Sequence, residues 1–261
     1  MSCRIVQFTQ LGNFGRFGNQ LFQYVFARAY AEAYDATLEI PNWIGEKIFK
    51  NVSHASVSKR LPMLGIDVIN WGDVNIDLCG YFQTARCFDF LSESKIRQWL
   101  QFKDHFNVNA VNSVELAAHL RIGDYKTLWP NVFCQISEQS YIDCADQLGI
   151  PSENITWVSE EGTKRNSQFD SISYQQTPGC MYGGGQYNDK GISFLPDFFT
   201  LMNAKVLLRS NSSFSFWAGF FNTNRVMCPV VENRVGLHTV KFAEGNSKAI
   251  CGVTSDIIFG E

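Results

Sequence analysis

The chain has 261 residues and a net charge of −3 at pH 7, with 45% hydrophobic and 18% charged residues. This length can bury one large core or two smaller ones, and the composition excludes extended disorder. The small negative charge gives no reason to expect a nucleic-acid partner or an anionic membrane. Any phosphate-binding site would therefore need local cations.

Cysteine usage and the first residues of the chain indicate a cytosolic protein. Residues 1–8 turn polar too early for a signal peptide, and no apolar run approaches the roughly 20 residues of a membrane span. The eight cysteines are scattered and form no Cys-x-x-Cys pair, which is typical of reduced thiols. We therefore expect a soluble, cytoplasmic protein without a membrane span.

The N-terminal part of the sequence predicts a strand, a glycine-containing loop, a helix and a second strand, followed by less regular chain. Asn19 has a side chain preferred at helix N-caps, and apolar residues recur after it at helical spacing. Pro41 ends the second strand. In chain order we expect a strand at 4–9, a glycine loop at 11–18, a helix at 19–34, a strand at 37–40, irregular chain at 42–78 and a helix at 96–102.

Beyond a polar gap at 104–113, which contains three asparagines, strands and helices alternate again. Alternation on both sides of a linker predicts two α/β lobes with parallel sheets, at residues 1–108 and 109–261. Ligands of such sheets bind beyond the carboxyl ends of the strands. In the second lobe we expect strands at 114–120, 155–159, 205–209 and 225–231, and helices at 137–149, 196–204 and 214–221.

The stretch at 116–125 delivers three polar side chains, those of His119, Arg121 and Asp124, to a glycine-marked turn at the end of a buried strand. The planar guanidinium of Arg121 suits phosphate oxygens. Asp124 can accept a hydrogen bond from a hydroxyl, an amide or the arginine itself. The structural alternative is an Arg121–Asp124 salt bridge beside a hydrogen-bonded core histidine.

The sequence at 12–20, which covers the glycines of the loop, matches neither the dinucleotide-binding Gly-x-Gly-x-x-Gly pattern nor a P-loop, so a nicotinamide cofactor is not expected. Through Gly15, Gly18 and Asn19 the loop could still bring backbone N–H groups and a helix start close to an anion or a sugar. The alternative is a tight strand-to-helix connection that binds nothing.

A polar turn at Asn211, Ser212 and Ser213 precedes an aromatic helix. The turn places hydroxyl groups and backbone N–H donors at a helix N-terminus, which suits an anion. Serines that only cap the helix would explain the same pattern.

Motifs of metal-dependent and nucleophilic catalysis are missing from the sequence. No two carboxylates stand at positions i and i+2, and neither Gly-x-Ser-x-Gly, His-Glu-x-x-His nor a Cys/His cluster occurs. A hydrolase is therefore disfavoured, and we expect neither a metal nor a cofactor. Charge on a leaving diphosphate would have to be neutralised by arginine, hydroxyl groups and helix N-termini.

Four segments, in the same order along the chain, resemble motifs of the α-1,2-fucosyltransferase family of bacteria and animals. The third reads His-Leu-Arg-Ile-Gly-Asp-Tyr and is similar to the family's His-x-Arg-Arg-Gly-Asp motif. The fourth reads Asn-Ser-Ser-Phe-Ser-Phe-Trp and is similar to Asn-Ser-Ser-Phe-Ser-Trp-Trp. Four collinear matches are more specific than any one alone. The segments are 15–29, 80–84, 119–125 and 211–217.

The resemblance implies a two-lobed glycosyltransferase of the GT-B kind. Such an enzyme would transfer fucose from GDP-fucose to galactose O2 of a glycan acceptor, with inversion and without a required metal. The lobe at 1–108 would hold the acceptor, and the lobe at 109–261 would hold the donor. The implied catalytic residues are Arg121 and Asp124. The implied donor-binding residues are Arg121 at the β-phosphate, Ser212 and Ser213 beside it, His119 and Asp197 by the guanosine, Asn211 in the same turn, and Gly15, Gly18 and Asn19 in the glycine loop.

Three positions depart from the family pattern: Ile122 replaces a second arginine, Phe216 replaces a tryptophan, and Arg16 lies inside the glycine motif. The lost arginine leaves two alternatives open, namely a glycosyltransferase with another GDP-sugar and a non-catalytic relative that binds a nucleotide sugar or a glycan. The animal relatives carry a membrane anchor, whereas no membrane span is expected in this chain. The resemblance therefore favours a soluble enzyme of bacterial or viral type.

The general base remains open at the level of sequence. An inverting transfer calls for a carboxylate or a histidine near the acceptor hydroxyl. By their place in the first lobe, the candidates are Glu39, His54, Asp73 and Asp77.

Overall fold

In a computed structural model of the chain, the described residues divide into two compact units. The first unit ends at Phe106, and the second contains the described residues from Val108 onward. Each unit is an α/β unit built on a parallel sheet. The described residues are 4–13, 15–65, 67–84, 87–88, 91–106, 108, 113–121, 133–159, 192, 194–231 and 235–245.

Among the described residues, the first unit contains a four-stranded sheet and three α-helices. The strand order is β2-β1-β4-β3, and every pair is parallel, so all four carboxyl ends lie at one edge. Its elements are β1 (Ile5–Gln7), α1 (Phe17–Ala33), β2 (Thr37–Glu39), α2 (Gly45–Ile48), β3 (Met63–Gly65), β4 (Ile76–Cys79) and α3 (Glu93–Trp99).

The prediction of irregular chain at 42–78 is wrong, because this stretch contains β3 and most of β4. Strands of three and four residues are too short to show a periodic pattern. They are stabilised instead by pairing, since β4 lies between β1 and β3. Helix α3 also begins three residues before the predicted start at 96, where the Ser92 side chain accepts a hydrogen bond from the Lys95 backbone N–H.

Helix α1 is the core helix of the first unit. Thirteen of its residues are buried, among them Phe22, Tyr24 and Phe26, each with no exposed surface. The helix begins at Phe17, and its N-cap residue, Arg16, makes no capping bond through its side chain. Asn19 therefore lies inside the first turn, and the prediction that it caps the helix is wrong. The helix ends where Asp35 turns to a φ of 50°.

The second unit is a five-stranded sheet in the order β11-β9-β8-β5-β7, with only β11 antiparallel, and a separate parallel pair of β6 and β10. The four predicted strands and three predicted helices of this lobe are all present. The strands β6, β10 and β11 were not predicted from the sequence. The elements are β5 (Leu116–Leu120), β6 (Cys134–Ile136), α4 (Glu138–Gln147), β7 (Ile155–Ser159), α5 (Leu195–Asn203), β8 (Val206–Leu208), α6 (Ser213–Phe221), β9 (Arg225–Pro229), β10 (Gly236–His238) and β11 (Phe242–Glu244).

Local signals set the helix ends of the second unit. Helix α4 stops at Gly149, whose φ of 71° suits glycine, and the Ile150 N–H returns to the Ala145 carbonyl at 2.9 Å. Pro196 occupies the first turn of α5, where its missing N–H costs nothing. Within the residues that the structure describes, no helix has both the length and the apolar character needed to cross a membrane.

Candidate functional site

The carboxyl edge of the second sheet brings two of the predicted segments side by side. Strands β5 and β8 are parallel neighbours, with Ala118 aligned with Leu208. Three residues beyond that pair, the chain reaches Arg121 after β5 and Asn211 after β8. Since adjacent strands lie about 4.8 Å apart, the strand-end segment and the polar turn leave the sheet next to each other.

His119 is held at this edge by a chain of hydroxyl groups. Its Nδ1 lies 2.7 Å from Ser210 Oγ, which lies 3.2 Å from Ser215 Oγ. The Ser215 hydroxyl reaches the Ser212 carbonyl oxygen at 3.2 Å. These contacts are consistent with Nδ1–H donating to Ser210, Ser210 donating to Ser215, and Ser215 donating to the carbonyl oxygen of Ser210 or Ser212.

Two aromatic residues fix the surroundings of His119. The Tyr141 hydroxyl donates to the His119 carbonyl oxygen at 2.8 Å, and burial raises the pKa of Tyr141, which keeps it a donor. The Phe214 ring packs 5.5 Å from the imidazole, centroid to centroid. His119 is only 4% exposed, so its ring orientation is set before any ligand arrives.

The serines of the polar turn have different local roles. Ser212 is the N-cap of α6, and its Oγ accepts from the Phe214 backbone N–H at 3.2 Å. Ser213 is the first helical residue and is half-buried. The Asn211 side chain donates to the Cys134 carbonyl oxygen at 3.0 Å, which ties the turn to β6. The capping interpretation therefore applies to Ser212, and we expect Ser213 to contact a phosphate, while the predicted donor contacts of both serines stay predictions.

The serine pair gives a prediction with a built-in control. Ser213→Ala is expected to weaken GDP binding about 10-fold or more, because a hydrogen bond to a charged group contributes about 1.5–3 kcal/mol. Its melting temperature should stay near that of the wild type. Ser212→Ala should instead lower the free energy of unfolding by about 1 kcal/mol through loss of the cap. Calorimetric titration with GDP and thermal melts separate the two, and matching behaviour of both variants would contradict this division.

The remaining predicted residues of this lobe differ in how far the structure describes them. Arg121 directly follows β5 and is half-buried. Asp197 is 7% exposed and lies in the first turn of α5. Asp124 lies outside the described residues, so its proposed catalytic role and its possible salt bridge with Arg121 both stay predictions.

Arg209 is a residue of this edge that sequence reasoning missed. It is fully buried at the end of β8, and its guanidinium carbon lies 5.2 Å from the centroid of the Phe216 ring. Burial lowers the pKa of Arg209. The one signal in the sequence is an arginine that ends an apolar run directly before the Ser-Asn-Ser-Ser stretch. Phe216, one of the departures from the family pattern, therefore packs on this buried cation.

In the first unit, the glycine loop and the family-like segment at 80–84 meet. Gly15 has a φ of 76°, and a Cβ there would lie 2.1 Å from Asn19 Nδ2, so a larger residue would displace Asn19. The Asn19 side-chain oxygen accepts from Gln83 Nε2 at 2.8 Å. Gly18 is buried in the first turn of α1. The close approach explains the glycine requirement at position 15, while a ligand contact of this loop stays a prediction.

All four candidate general bases make hydrogen bonds, His54 with Glu46 and Asp73 with the Asn70 backbone N–H, and Glu39 and Asp77 are the two that are buried. Glu39 accepts from Gln7 Nε2 at 2.7 Å and from the backbone N–H and hydroxyl of Ser58 at 3.0 and 2.7 Å. Asp77 accepts from the Thr9 backbone N–H at 2.9 Å and from its hydroxyl at 2.5 Å. Burial would raise the pKa of Glu39, but these hydrogen bonds and the nearby Lys59 charge outweigh it and lower the pKa. A carboxylate with a lowered pKa is a weaker base, so Glu39 suits a structural role better than that of the general base.

The Glu39 bonds predict a loss of stability in acid. A carboxyl whose pKa is lower in the folded state stabilises the fold above its ordinary pKa of 4.5, and this contribution disappears as the pH falls through the folded-state value. The free energy of unfolding should therefore decrease below about pH 4.5, and less steeply in Glu39→Gln. Urea titrations at several pH values measure this, and equal slopes for both proteins would contradict it.

His, Cys, Asp and Glu side chains nowhere gather in groups of three or more that could hold a metal ion, within the ranges of chain that the structure describes. No known family model and no curated protein matches the sequence.

Solved structures do resemble the chain. The crystal structure of NodZ α-1,6-fucosyltransferase soaked with GDP-fucose has a TM-score of 0.53 and 15% identity, and the match covers 94% of this chain and all (100%) of the NodZ chain. Selenomethionine fucosyltransferase NodZ from Bradyrhizobium gives 0.52 and 15%, with coverages of 94% and 100%. NodZ co-crystallised with GDP gives 0.52 and 13%, with 94% and 99%. This likeness establishes a shared fold and confirms the prediction of an α/β, GT-B-type architecture.

Proposed function

We propose that this protein transfers fucose from GDP-fucose to a hydroxyl group of a glycan. The observation that supports the proposal most directly is the carboxyl edge of the second sheet, where Arg121, His119 and the start of α6 come from adjacent strand ends. An arginine and a helix N-terminus suit a diphosphate. The shared fold with a fucosyltransferase that was soaked with GDP-fucose supports the same donor.

In the proposed reaction, the bond between fucose C1 and the β-phosphate oxygen breaks while the acceptor oxygen attacks C1 from the opposite face, which inverts the configuration. The acceptor proton is released and GDP leaves with additional negative charge. Arg121 and the α6 N-terminus would stabilise that charge. His119, oriented by Ser210, would lie by the guanosine together with Asp197.

The acceptor hydroxyl has two candidates, each favoured by a different observation. The four motifs resemble α-1,2-fucosyltransferases and favour galactose O2. The solved NodZ structures are of an α-1,6-fucosyltransferase and favour a primary hydroxyl. Lactose and oligosaccharides with a free O6 should be offered as acceptors, and the linkage of any product read by NMR.

The donor experiment compares GDP-fucose with GDP-mannose and GDP-glucose. We expect fucose transfer to a glycan, with the other donors at least about 100-fold slower, since a site that hydrogen-bonds its substrate rejects analogues that leave its polar groups unpaired. Preferential turnover of another donor would replace fucose in the proposal. Binding of GDP-fucose without any turnover would support the non-catalytic alternative.

Transfer should persist in a chelator. Because arginine and a helix N-terminus are proposed to neutralise the leaving GDP, excess EDTA should change turnover by less than about twofold. The measurement is the initial rate with and without EDTA, before and after added Mg²⁺ or Mn²⁺. A rate that collapses in EDTA and returns with either metal would overturn the metal-independent mechanism.

A further inference from the structure

A strained corner follows β4 in the first unit. Gly80 has a φ of 149°, and Phe82 has a φ of 54°. A bulky non-glycine residue in the left-handed region is rare and strained, and such strain clusters at functional sites. The Phe82 side chain holds the corner in place, because it is 3% exposed and its ring stacks on Phe26 at 4.4 Å.

The corner is fixed by the two residues that follow Tyr81. Phe82 also packs edge-on against Phe8 at 5.6 Å, and Gln83 donates to Asn19 at 2.8 Å. Between these two anchors and Gly80, Tyr81 is 42% exposed. A short and rigid backbone thus presents one aromatic ring to solvent while both following side chains are engaged in the unit.

Polar groups lie at the same carboxyl edge as Tyr81. Phe8, which touches Phe82, directly precedes Thr9, and Thr9 binds the buried Asp77 carboxylate through both its N–H and its hydroxyl. An aromatic ring and polar groups at one edge of a sheet suit a sugar, which has an apolar C–H face and a hydroxyl rim. Ligands of parallel α/β sheets bind at this edge.

Trp71 is as exposed as Tyr81 but lies at a different place in the first unit. It is 43% exposed, almost the same as Tyr81, but its ring packs on Tyr30 at 5.8 Å and on Phe26 at 6.2 Å, on the turn that precedes β4. The end of that turn, at Asn75, bonds to Ile5 at the amino end of β1. Trp71 therefore lies towards the edge opposite to Tyr81 and offers a matched control.

We propose that Tyr81 is the stacking platform of a monosaccharide subsite that holds the acceptor glycan. Its ring lies against the C–H face of a galactose-type pyranose, and the rigid corner removes the entropy cost of positioning it. The inference rests on the proposed function for its identification of the glycan as the acceptor.

The test compares Tyr81→Ala, Tyr81→Leu and Tyr81→Phe with Trp71→Ala. Loss of the flat ring in the Ala and Leu variants should raise the acceptor KM on the order of 10-fold, equivalent to about 1.4 kcal/mol. Tyr81→Phe and Trp71→Ala should stay within about twofold. GDP affinity and melting temperature should be unchanged in all four, since Tyr81 belongs to the unit proposed to bind the acceptor. A folded Tyr81→Leu protein with a normal KM overturns the proposal.

A second measurement needs no donor and separates failure of the subsite from failure of the proposed function. Saturation-transfer NMR with lactose, cellobiose and maltose should show binding of lactose to the wild type and to Trp71→Ala, and loss of that signal in Tyr81→Ala. This result supports the subsite even if no fucose is transferred. Absence of signal from every sugar with the wild type, or an unchanged lactose signal in Tyr81→Ala, overturns it.

Discussion

Replacing Arg121 with alanine is expected to lower sugar-transfer turnover on the order of 100-fold or more while the protein stays folded. An arginine–diphosphate contact in a partly dry cleft contributes about 2–4 kcal/mol, most of which is lost when the guanidinium is removed. Arg121 leaves β5 beside the polar turn and is half-buried, so this position suits such a contact. Steady-state rates and GDP affinity measure the loss, and circular dichroism melts report folding.

Arg225→Ala is the matched control for Arg121→Ala. Arg225 begins β9 in the same sheet, and its guanidinium pairs with Glu244 at 3.1 Å on the surface, where an ion pair contributes little. Its loss should leave transfer within about twofold. Unfolding of Arg121→Ala that is reproduced by Asp124→Asn would favour the structural salt bridge instead. Normal transfer by a folded Arg121→Ala protein would remove Arg121 from the proposed site.

Replacing Trp217 with alanine is expected to lower the free energy of unfolding by about 3–5 kcal/mol. Trp217 is fully buried in α6, with edge-to-face contacts to Phe216 at 5.6 Å and Phe220 at 5.2 Å. Since domains are stable by only about 5–15 kcal/mol, the variant should melt far below the wild type. Urea denaturation followed by circular dichroism gives the value.

The exposed Trp71 provides the control for this loss, because Trp71→Ala deletes the same side chain at a position that is 43% exposed. Its effect should stay well below that of Trp217→Ala. A Trp217→Ala protein that loses less than about 1 kcal/mol but binds GDP weakly would contradict the division of the 211–217 motif proposed here. In that division, Ser213 contacts the ligand, and the aromatic residues pack in the core.

The sequence alone could predict features that depend on neighbouring residues. The end of α4 at Gly149 and Pro196 in the first turn of α5 follow from backbone preferences that one residue imposes. The apolar run of β5 is encoded in the same local way. Together with the alternation of elements and the four motifs, such signals were enough to predict an α/β protein of the GT-B type and to place the polar residues of the second unit at strand ends.

Only the tertiary structure decided which of those strand ends are neighbours. The hydrogen bond from His119 to Ser210 joins residues 91 positions apart, and the bond from Gln83 to Asn19 joins residues 64 apart. Pairing over such distances forms only when the apolar surface buried by the whole sheet outweighs the entropy cost of closing long loops. Both quantities depend on the whole chain, so a short window of sequence does not contain them. For the same reason β4 was missed although it pairs with β1 inside its sheet, and Arg209 was missed although it is fully buried.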